Sequence, residues 1–277
     1  SQIAQGQFYA GFASYQEAFK NPHPLARDCK TTFIRMVSSN PQAVASLPQA
    51  RQAEVLAYVV KLSEENLAEN PNDSLKNLEF GQLMDLVSRF QKKDSASQNE
   101  YHQKAIAALD RAIASSPGRA TVYFFKGQIL ASAGDYQGAE MITKQGVALN
   151  TNYPEGFCRL SAIYNLEKKD NEALSAFNQC DKLDGLEYAT VPSFLVNAAS
   201  SSVAVNNFEQ AIRYTKRLTV LVPNDYRLFI NLARMNEAAG HYEDAITAAV
   251  KVRQLEPSLA TDSTMYINQL ELKVPVK

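Results

Sequence analysis

Residues 226–257, YRLFINLARMNEAAGHYEDAITAAVKVRQLEP, decide the fold of this chain. Two apolar-periodic stretches flank the turn Gly240-His241-Tyr242, and Pro257 closes the second stretch, which predicts a helix, a tight turn and a second helix. Ala233 and Ala245 stand twelve residues apart, one on each helix. An antiparallel helix pair brings its backbones closest at one level, where only a small residue fits on both sides. The two alanines therefore predict the level at which the helices cross.

The same pair of small residues recurs through the second half of the chain. Successive second-helix alanines are separated by 34, 38 and 34 residues. The pairs are Gly127 with Ala139, Ser161 with Ala173, Ala199 with Ala211, and Ala233 with Ala245. A repeat of this length is one helix-turn-helix unit, which cannot bury its apolar face alone and must stack on copies of itself. The sequence therefore predicts an all-α solenoid.

The units can be aligned by their first residues, and this alignment carries a family resemblance. They start at Ala120, Pro154, Pro192 and Tyr226, their fourth positions are large and apolar, and their second helices close on leucine. Those leucines are Leu149, Leu183, Leu221 and Leu255, and a proline, which ends a helix, follows the last two after two residues. The pattern resembles the tetratricopeptide repeat family. This resemblance implies a right-handed superhelix of antiparallel helix pairs.

The rest of the chain divides around these four units. We expect degenerate repeat-like helices over residues 1–73, at about 4–20, 25–38 and from 49, because proline-containing segments separate them. Residues 74–119 are predicted to form a divergent unit, interrupted at 92–100 by the polar insertion KKDSASQNE, an exposed mobile loop. The four units fill 120–257. A C-terminal capping helix and tail over 258–277 would cover the last repeat.

The layout of the first 120 residues carries a second, looser resemblance. The segment Tyr15–Phe19, a charged helix, Asn70-Pro71 and then 116–119 leading to Tyr123-Phe124 looks like the soluble C-terminal region of some bacterial membrane proteins of the O-antigen ligase type. Those proteins carry their chemistry in a membrane part that has no counterpart in these residues. The chain begins with Ser1 rather than Met, so we expect a processed or excised product. Its compartment stays open between bacterial cytoplasm and an extracytoplasmic space.

Composition argues against several classes of function. Lys and Arg number 28 against 29 Asp and Glu, so the basic field that nucleic-acid binding requires is missing. No apolar stretch approaches the roughly 20 residues that span a bilayer. His23, His102 and His241 lie without a second ligand at metal spacing, and no phosphate loop or nucleophile elbow occurs. We expect neither an enzyme nor a cofactor.

Three cysteines cannot all pair within one chain. Cys158 and Cys180 fall at apolar positions of the second unit, where a free cysteine packs as a small hydrophobe. We therefore expect Cys158 and Cys180 to be reduced. With Cys29 as the third cysteine, the odd count favours a reducing compartment.

The family resemblance implies a ligand surface on the inner face of the first helices. Transferred position by position, the predicted peptide groove consists of Phe124, Phe125, Gln128, Arg159, Asn165, Asn197, Arg227, Asn231 and Arg234. Asparagine at the positions of Asn197 and Asn231 holds the backbone of extended peptides in family members. Arginine adds a forked donor for carboxylates. The expected partner is a protein or peptide, and binding of an extended peptide or a partner helix is the favoured function.

The alternative is structural self-assembly. An open solenoid has two non-identical ends, and head-to-tail contact that does not close a ring builds a filament. Apolar side chains near both ends would form such an interface, because exposed apolar patches mark interaction sites. The residues concerned are Phe8, Phe12, Tyr15 and Phe19 at one end, and Met265, Tyr266 and Leu270 at the other. These aromatics could instead pack within the same chain.

Overall fold

The computed structural model of the protein describes residues 2–20, 26–184 and 191–275. These ranges form fifteen α-helices and one short 3-10 helix, and they contain no strand. The all-α prediction is confirmed. The chain divides into two compact units, Ser1–Leu149 and Asn150–Lys277.

Eight helices belong to the first unit. They are α1 (Gln2–Ala18), α2 (Ala26–Ser39), α3 (Pro41–Ala45), α4 (Gln49–Ala68), α5 (Ser74–Ser88), α6 (Ala96–Ser115), α7 (Ala120–Ser132) and α8 (Tyr136–Leu149). The short α3 was not predicted, because it lies between two prolines; Pro41 occupies its first turn, where a proline is tolerated.

Seven helices belong to the second unit. They are α9 (Pro154–Leu166), α10 (Asp170–Asp184), α11 (Pro192–Ala204), α12 (Phe208–Leu221), α13 (Tyr226–Ala238), α14 (Tyr242–Leu255) and α15 (Ala260–Glu271). The 3-10 turn Pro257–Leu259 joins α14 to α15, which packs on α14. The helices α7, α9, α11 and α13 begin at the residues from which the repeat was counted.

The small-residue pairs lie where the two helices of each repeat meet. All eight are buried, and α7 packs on α8, α9 on α10, α11 on α12 and α13 on α14. The closeness is clearest at Gly127, where a Cβ would lie 2.1 Å from Thr143 Oγ1 and 3.2 Å from the carbonyl oxygen of Ala139. A side chain at this position would require Thr143 to change its rotamer and the backbone of α8 at Ala139 to move by a few tenths of an ångström.

The predicted polar loop at 92–100 is wrong in extent. Helix α6 already begins at Ala96, so 96–100 are helical. Ser95 caps this helix, since its Oγ accepts from the backbone N–H of Gln98 at 3.1 Å. The Gln98 side chain in turn accepts from the backbone N–H of Asp94 at 2.8 Å. Reciprocal bonds of this kind start a helix as a capping box does.

The amino-terminal aromatics belong to the core of the first unit. Phe12 is fully buried and its ring lies 6.0 Å from Phe33 and 5.6 Å from Tyr58. The rings of Tyr15 and Phe19 lie 5.0 and 6.4 Å from Phe33. Phe8, Tyr15 and Phe19 are partly buried against the same core. Of the two alternatives that the sequence left open, the structure follows packing within the same chain and not an exposed assembly interface, because α1 uses its aromatic face to dock on α2 and α4.

The expectation that Cys158 and Cys180 are reduced is also wrong. Cys158 on α9 and Cys180 on α10 form a disulfide with a Cα–Cα distance of 5.3 Å, and both residues are fully buried. Cys29 is free and half-buried. Helices α9 and α10 face each other at these positions. The two cysteines, which were expected to pack separately, are therefore bonded to each other. The argument for a reducing compartment falls with the expectation.

Candidate peptide-binding face

The predicted groove residues of α7 are largely part of the core of the first unit. Phe124 is fully buried, which contradicts its assignment to the groove. The reason lies in α8: Gly146 has no side chain, and a Cβ there would approach the Phe124 ring to 2.7 Å. Phe125 is partly buried and packs against the same core, and Gln128 is half-buried.

On α9 of the second unit, two predicted groove residues interact within the fold. Arg159 Nε donates to Glu155 Oε1 at 2.8 Å, and Glu155 is only 6% exposed. Asn165 Nδ2 donates to Ser201 Oγ at 2.9 Å and so ties α9 to α11. Both polar groups are therefore already committed to intramolecular bonds.

Helix α11 presents a mixed surface. Asn197 is half-buried, and its carbonyl oxygen lies 3.5 Å from Asn165 Nδ2. Val196 is 45% exposed and Ser200, one turn later, is exposed. This surface offers a ligand apolar contact and one asparagine.

Helix α13 carries the most accessible predicted residues. Arg227 binds Asp225 through two bonds, Nε to Oδ1 at 2.9 Å and Nη2 to Oδ2 at 3.1 Å. The hydrogen bond from Arg227 lowers the pKa of the Asp225 carboxyl. Asn231 and Arg234 are exposed and lie one turn apart. Within the described ranges, no carboxylate forms an ion pair with Arg234.

A cavity of about 310 Å³ opens beside Arg234, between α13, α14 and α15. Its walls are mainly apolar and include Ile230, Val252 and Leu259. The rim residue Tyr266 donates its hydroxyl to Glu237 at 2.6 Å, and Lys273 binds the same carboxylate at 2.7 Å. Burial, and then the bond to Glu237, raise the pKa of Tyr266. The hydroxyl thus stays protonated as a donor, which holds α15 in place against α13.

The predicted assembly residues of α15 are less exposed than expected. Leu270 is fully buried and Tyr266 is half-buried, whereas Met265 is 59% exposed. Leu270 is therefore a core residue, contrary to its assignment to an interface. Helix α15 buries Ile267 and Leu270, which lie one turn apart, as a cap over α14 would.

The described ranges contain no group of three or more His, Cys, Asp or Glu that could hold a metal ion. His102 lies inside α6 and is buried, and His241 occupies the N-cap position of α14 without a side-chain hydrogen bond to that helix. His23, and the interhelical prolines on either side of it, lie outside the described residues. None of the described helices is both long and apolar enough to cross a bilayer.

Comparison with known proteins concerns both the repeat and the fold. The tetratricopeptide repeat family model matches residues 94–144 and 196–255. The TPR repeat-containing protein MJ1428 of Methanocaldococcus jannaschii is 24% identical over 212 residues, which are 62% of this chain. This chain spans 37% of the length of that relative.

Solved structures show the same fold at low sequence identity. PilF of Pseudomonas aeruginosa matches with a TM-score of 0.58 and 15% identity, over 90% of this chain and 99% of PilF. YrrB, described as a TPR protein with an unusual peptide-binding site, matches with a TM-score of 0.54 and 16% identity, over 73% of this chain and 97% of YrrB.

Proposed function

We propose that this chain, which carries tetratricopeptide repeats, is a non-catalytic interaction scaffold that binds an extended peptide on the first-helix face of its second unit. The observation that carries the proposal is the pair of exposed polar side chains, Asn231 and Arg234, beside the apolar cavity at α13. The peptide-binding site named for YrrB supports the choice of ligand class.

The cavity, Asn231 and Arg234 would each bind a different part of the peptide. The cavity of about 310 Å³ receives an apolar side chain of the peptide, since ligand sites are mostly apolar with a few oriented polar groups. Asn231 can both donate to and accept from the peptide main chain. Arg234 binds a carboxylate through its planar guanidinium.

The other predicted arginines contribute less. Arg159 and Arg227 are already paired with Glu155 and Asp225, so a ligand carboxylate would have to compete with those partners. Asn197 lies half-buried on α11 and extends the face by one repeat. We therefore place most of the peptide contacts on α13 and the remaining contacts on α11.

Selection of peptides from a random dodecapeptide library on the full chain tests the proposal. Asn231→Ala should weaken the selected peptide by about 0.5–1.5 kcal/mol, the usual worth of one hydrogen bond, with little loss of stability. Arg234→Ala should weaken it further and remove most of the salt dependence of binding. Isothermal titration calorimetry measures both effects.

The matched control is Asn99→Ala, the same change at an exposed site on α6 of the first unit. It should leave the affinity unchanged. If Asn231→Ala and Arg234→Ala together bind as tightly as the wild type, the site does not lie on this face.

The disulfide supports a proposal about compartment. Disulfides persist in oxidising environments and are rare in the reducing cytosol of mesophiles. A Cys158–Cys180 bond buried in the core therefore favours the extracytoplasmic alternative. The resemblance to the O-antigen ligase type and the head-to-tail polymer stay predictions.

A further inference from the structure

The apolar cavity beside Arg234 is bordered by a second charged residue, of opposite sign. Arg234 belongs to α13 and Asp262 to α15, both line the cavity, and both are exposed. Among the described residues, neither side chain forms an ion pair, with the other or with a third residue. A cation and an anion thus border one cavity of about 310 Å³ and are both available to a ligand.

The fold sets these two charges at about the same level of the cavity. Helix α14 is antiparallel to α13 and to α15, because a short connection joins it to each and it packs on both. Helices α13 and α15 therefore run in the same direction. The hydroxyl of Tyr266 on α15 donates to Glu237 on α13 at 2.6 Å. Arg234 lies about one turn before Glu237, and Asp262 lies about one turn before Tyr266, so the two charges are on opposite walls.

Two observations favour Asp262 as the acidic group that a ligand meets. Glu237, the carboxylate one turn away, already binds Lys273 at 2.7 Å as well as Tyr266. Asp262 also lies in the first turn of α15, where a carboxylate stabilises a helix. Any residue of that turn could supply this stabilisation, however, whereas the carboxylate stands at a position that lines the cavity.

We propose that the peptide of the proposed function carries a basic residue as well as an acidic one, on the two sides of the apolar residue that enters the cavity. This inference rests on that function and adds Asp262 as the group that selects the basic residue. The volume of the cavity is at the lower end of the range for ligand sites, about 300–1,000 Å³, so it suits one side chain, here called the anchor. Alternate residues of an extended chain point to the same side. The two charged residues are therefore those two positions before and two positions after the anchor.

The two charged contacts differ in strength. Arg234 holds a carboxylate through a forked pair of hydrogen bonds, whereas Asp262 attracts a lysine ammonium as a point charge, so Arg234 makes the larger electrostatic contribution. Both residues are exposed, and an exposed ion pair contributes little affinity by itself. The anchor therefore supplies most of the affinity, and the two charges decide which peptide is preferred and in which direction its chain runs.

Blocked heptapeptides test the inference, since they have no terminal charges. The probes Gly-Glu-Ser-Leu-Ser-Lys-Gly and Gly-Lys-Ser-Leu-Ser-Glu-Gly carry the two charges in opposite orders, and Gly-Gln-Ser-Leu-Ser-Gln-Gly carries none. Titrated into the full wild-type chain and followed by NMR, one of the charged peptides should bind about threefold to tenfold more tightly than the neutral one, the effect of two exposed ion pairs. Replacement of its lysine by glutamine should weaken binding about twofold to fivefold.

The outcomes separate this inference from the function on which it rests. If the neutral peptide binds at this face as tightly as the charged ones, or if the lysine can be replaced without loss, the proposed function stands and this inference is overturned. Absence of saturable binding by all of these peptides would overturn both.

Variants of Asp262 assign the effect of the lysine. Asp262→Asn should bind the lysine peptide and its glutamine counterpart alike, and its unchanged affinity for the neutral peptide would show that the cavity is intact. Asp262→Glu keeps the charge and should retain the preference. Asp170→Asn, the same change in the first turn of α10, is the matched control and should also retain it. A lysine preference that survives in Asp262→Asn would overturn the inference.

Exchange of the two charges gives the sharpest test. In the double variant Arg234→Glu with Asp262→Arg, the positive charge stands on α15 and the negative charge on α13. The preferred order of the charged peptides should therefore reverse, and an unchanged order would overturn the inference. If circular dichroism shows that the double variant does not fold, the replacement of lysine by glutamine on the wild type and on Asp262→Asn decides.

Discussion

The first four helices of the first unit and the repeats of the second unit bury their chains in different ways. In the former, rings from α1 and α4 surround Phe33 of α2, with Tyr15 at 5.0 Å, Phe12 at 6.0 Å and Tyr58 at 6.1 Å between centroids. In the latter, small residues let paired helices approach, and one pair is joined by a disulfide. A repeat can therefore be predicted from the small residues at its close helix contacts. The first four helices are harder to predict, because the large apolar side chains of a core look the same in a sequence as those of an exposed apolar surface.

Phe33→Ala should have the largest effect on the stability of the first four helices, α1 to α4. The ring is fully buried and contacts rings from α1 and α4, so its removal should cost about 3–5 kcal/mol of unfolding free energy. Denaturant unfolding followed by circular dichroism measures the loss. Phe90→Ala, at a partly buried ring, is the control and should cost less. A loss at Phe33 no greater than at Phe90 would mean that the aromatic cluster does not hold the segment together.

Removal of the disulfide should weaken the second unit. Cys158→Ala with Cys180→Ala frees a loop of 22 residues in the unfolded chain, which should cost about 3 kcal/mol. Thermal or denaturant unfolding under oxidising conditions measures it. Cys29→Ala, which removes the free thiol, should have little effect. A reducing agent should destabilise the wild type and leave the double variant unchanged; a wild type insensitive to reduction would refute the bond.

Ala211→Leu tests the small-residue crossing itself. Ala211 is fully buried against α11, where Ala199 is also buried, so added methylenes should cost roughly 1–3 kcal/mol. Ala238→Leu, at an exposed position near the end of α13, is the matched control. Thermal melting compares the two. An unchanged midpoint for Ala211→Leu, with the same helicity, would mean that the two helices do not cross at this level.

The sequence predicted the repeat architecture well because each crossing imposes a local rule. A Gly, Ala or Ser is needed wherever two backbones approach, and Gly127 shows how strict this need is. The cap at Ser95 also has a sequence signal, since Ser-x-x-Gln is the ordinary signature of a capping box, but the polar composition of 92–100 favours a loop. The disulfide does not follow from the number of cysteines, because it depends on Cys158 and Cys180 lying opposite each other on the paired helices α9 and α10.

The candidate site was less predictable, because equivalent positions of different repeats have different surroundings. Phe124 is a core residue since Gly146, on another helix, leaves room for its ring. The ion pair of Arg159 did have a sequence signal, a carboxylate four residues earlier on the same helix. Arg227 pairs with Asp225, the N-cap residue of α13. The cavity beside Arg234 had no sequence signal, because its volume depends on how α14 and α15 pack around α13.

The smallest expected effect concerns the carboxylate of Glu237, which binds Tyr266 and Lys273 near the end of the second unit. Bonds from Lys273 and then Tyr266 lower the pKa of its carboxyl below the ordinary glutamate value. A carboxyl with a lowered pKa in the folded state stabilises the fold at pH values above its unfolded pKa, and the contribution is lost as the pH falls through that value to the folded one. Because Glu237 and Lys273 are partly solvated, the contribution at pH 7 should be about 0.5–1 kcal/mol. Glu237→Gln should therefore be less stable than the wild type at neutral pH, and the difference should shrink in acid. Glu271→Gln, the same change at an exposed position of α15, should leave the stability at neutral pH unchanged, and a Glu237→Gln deficit that persists undiminished to about pH 3 would show that the charge is not its cause.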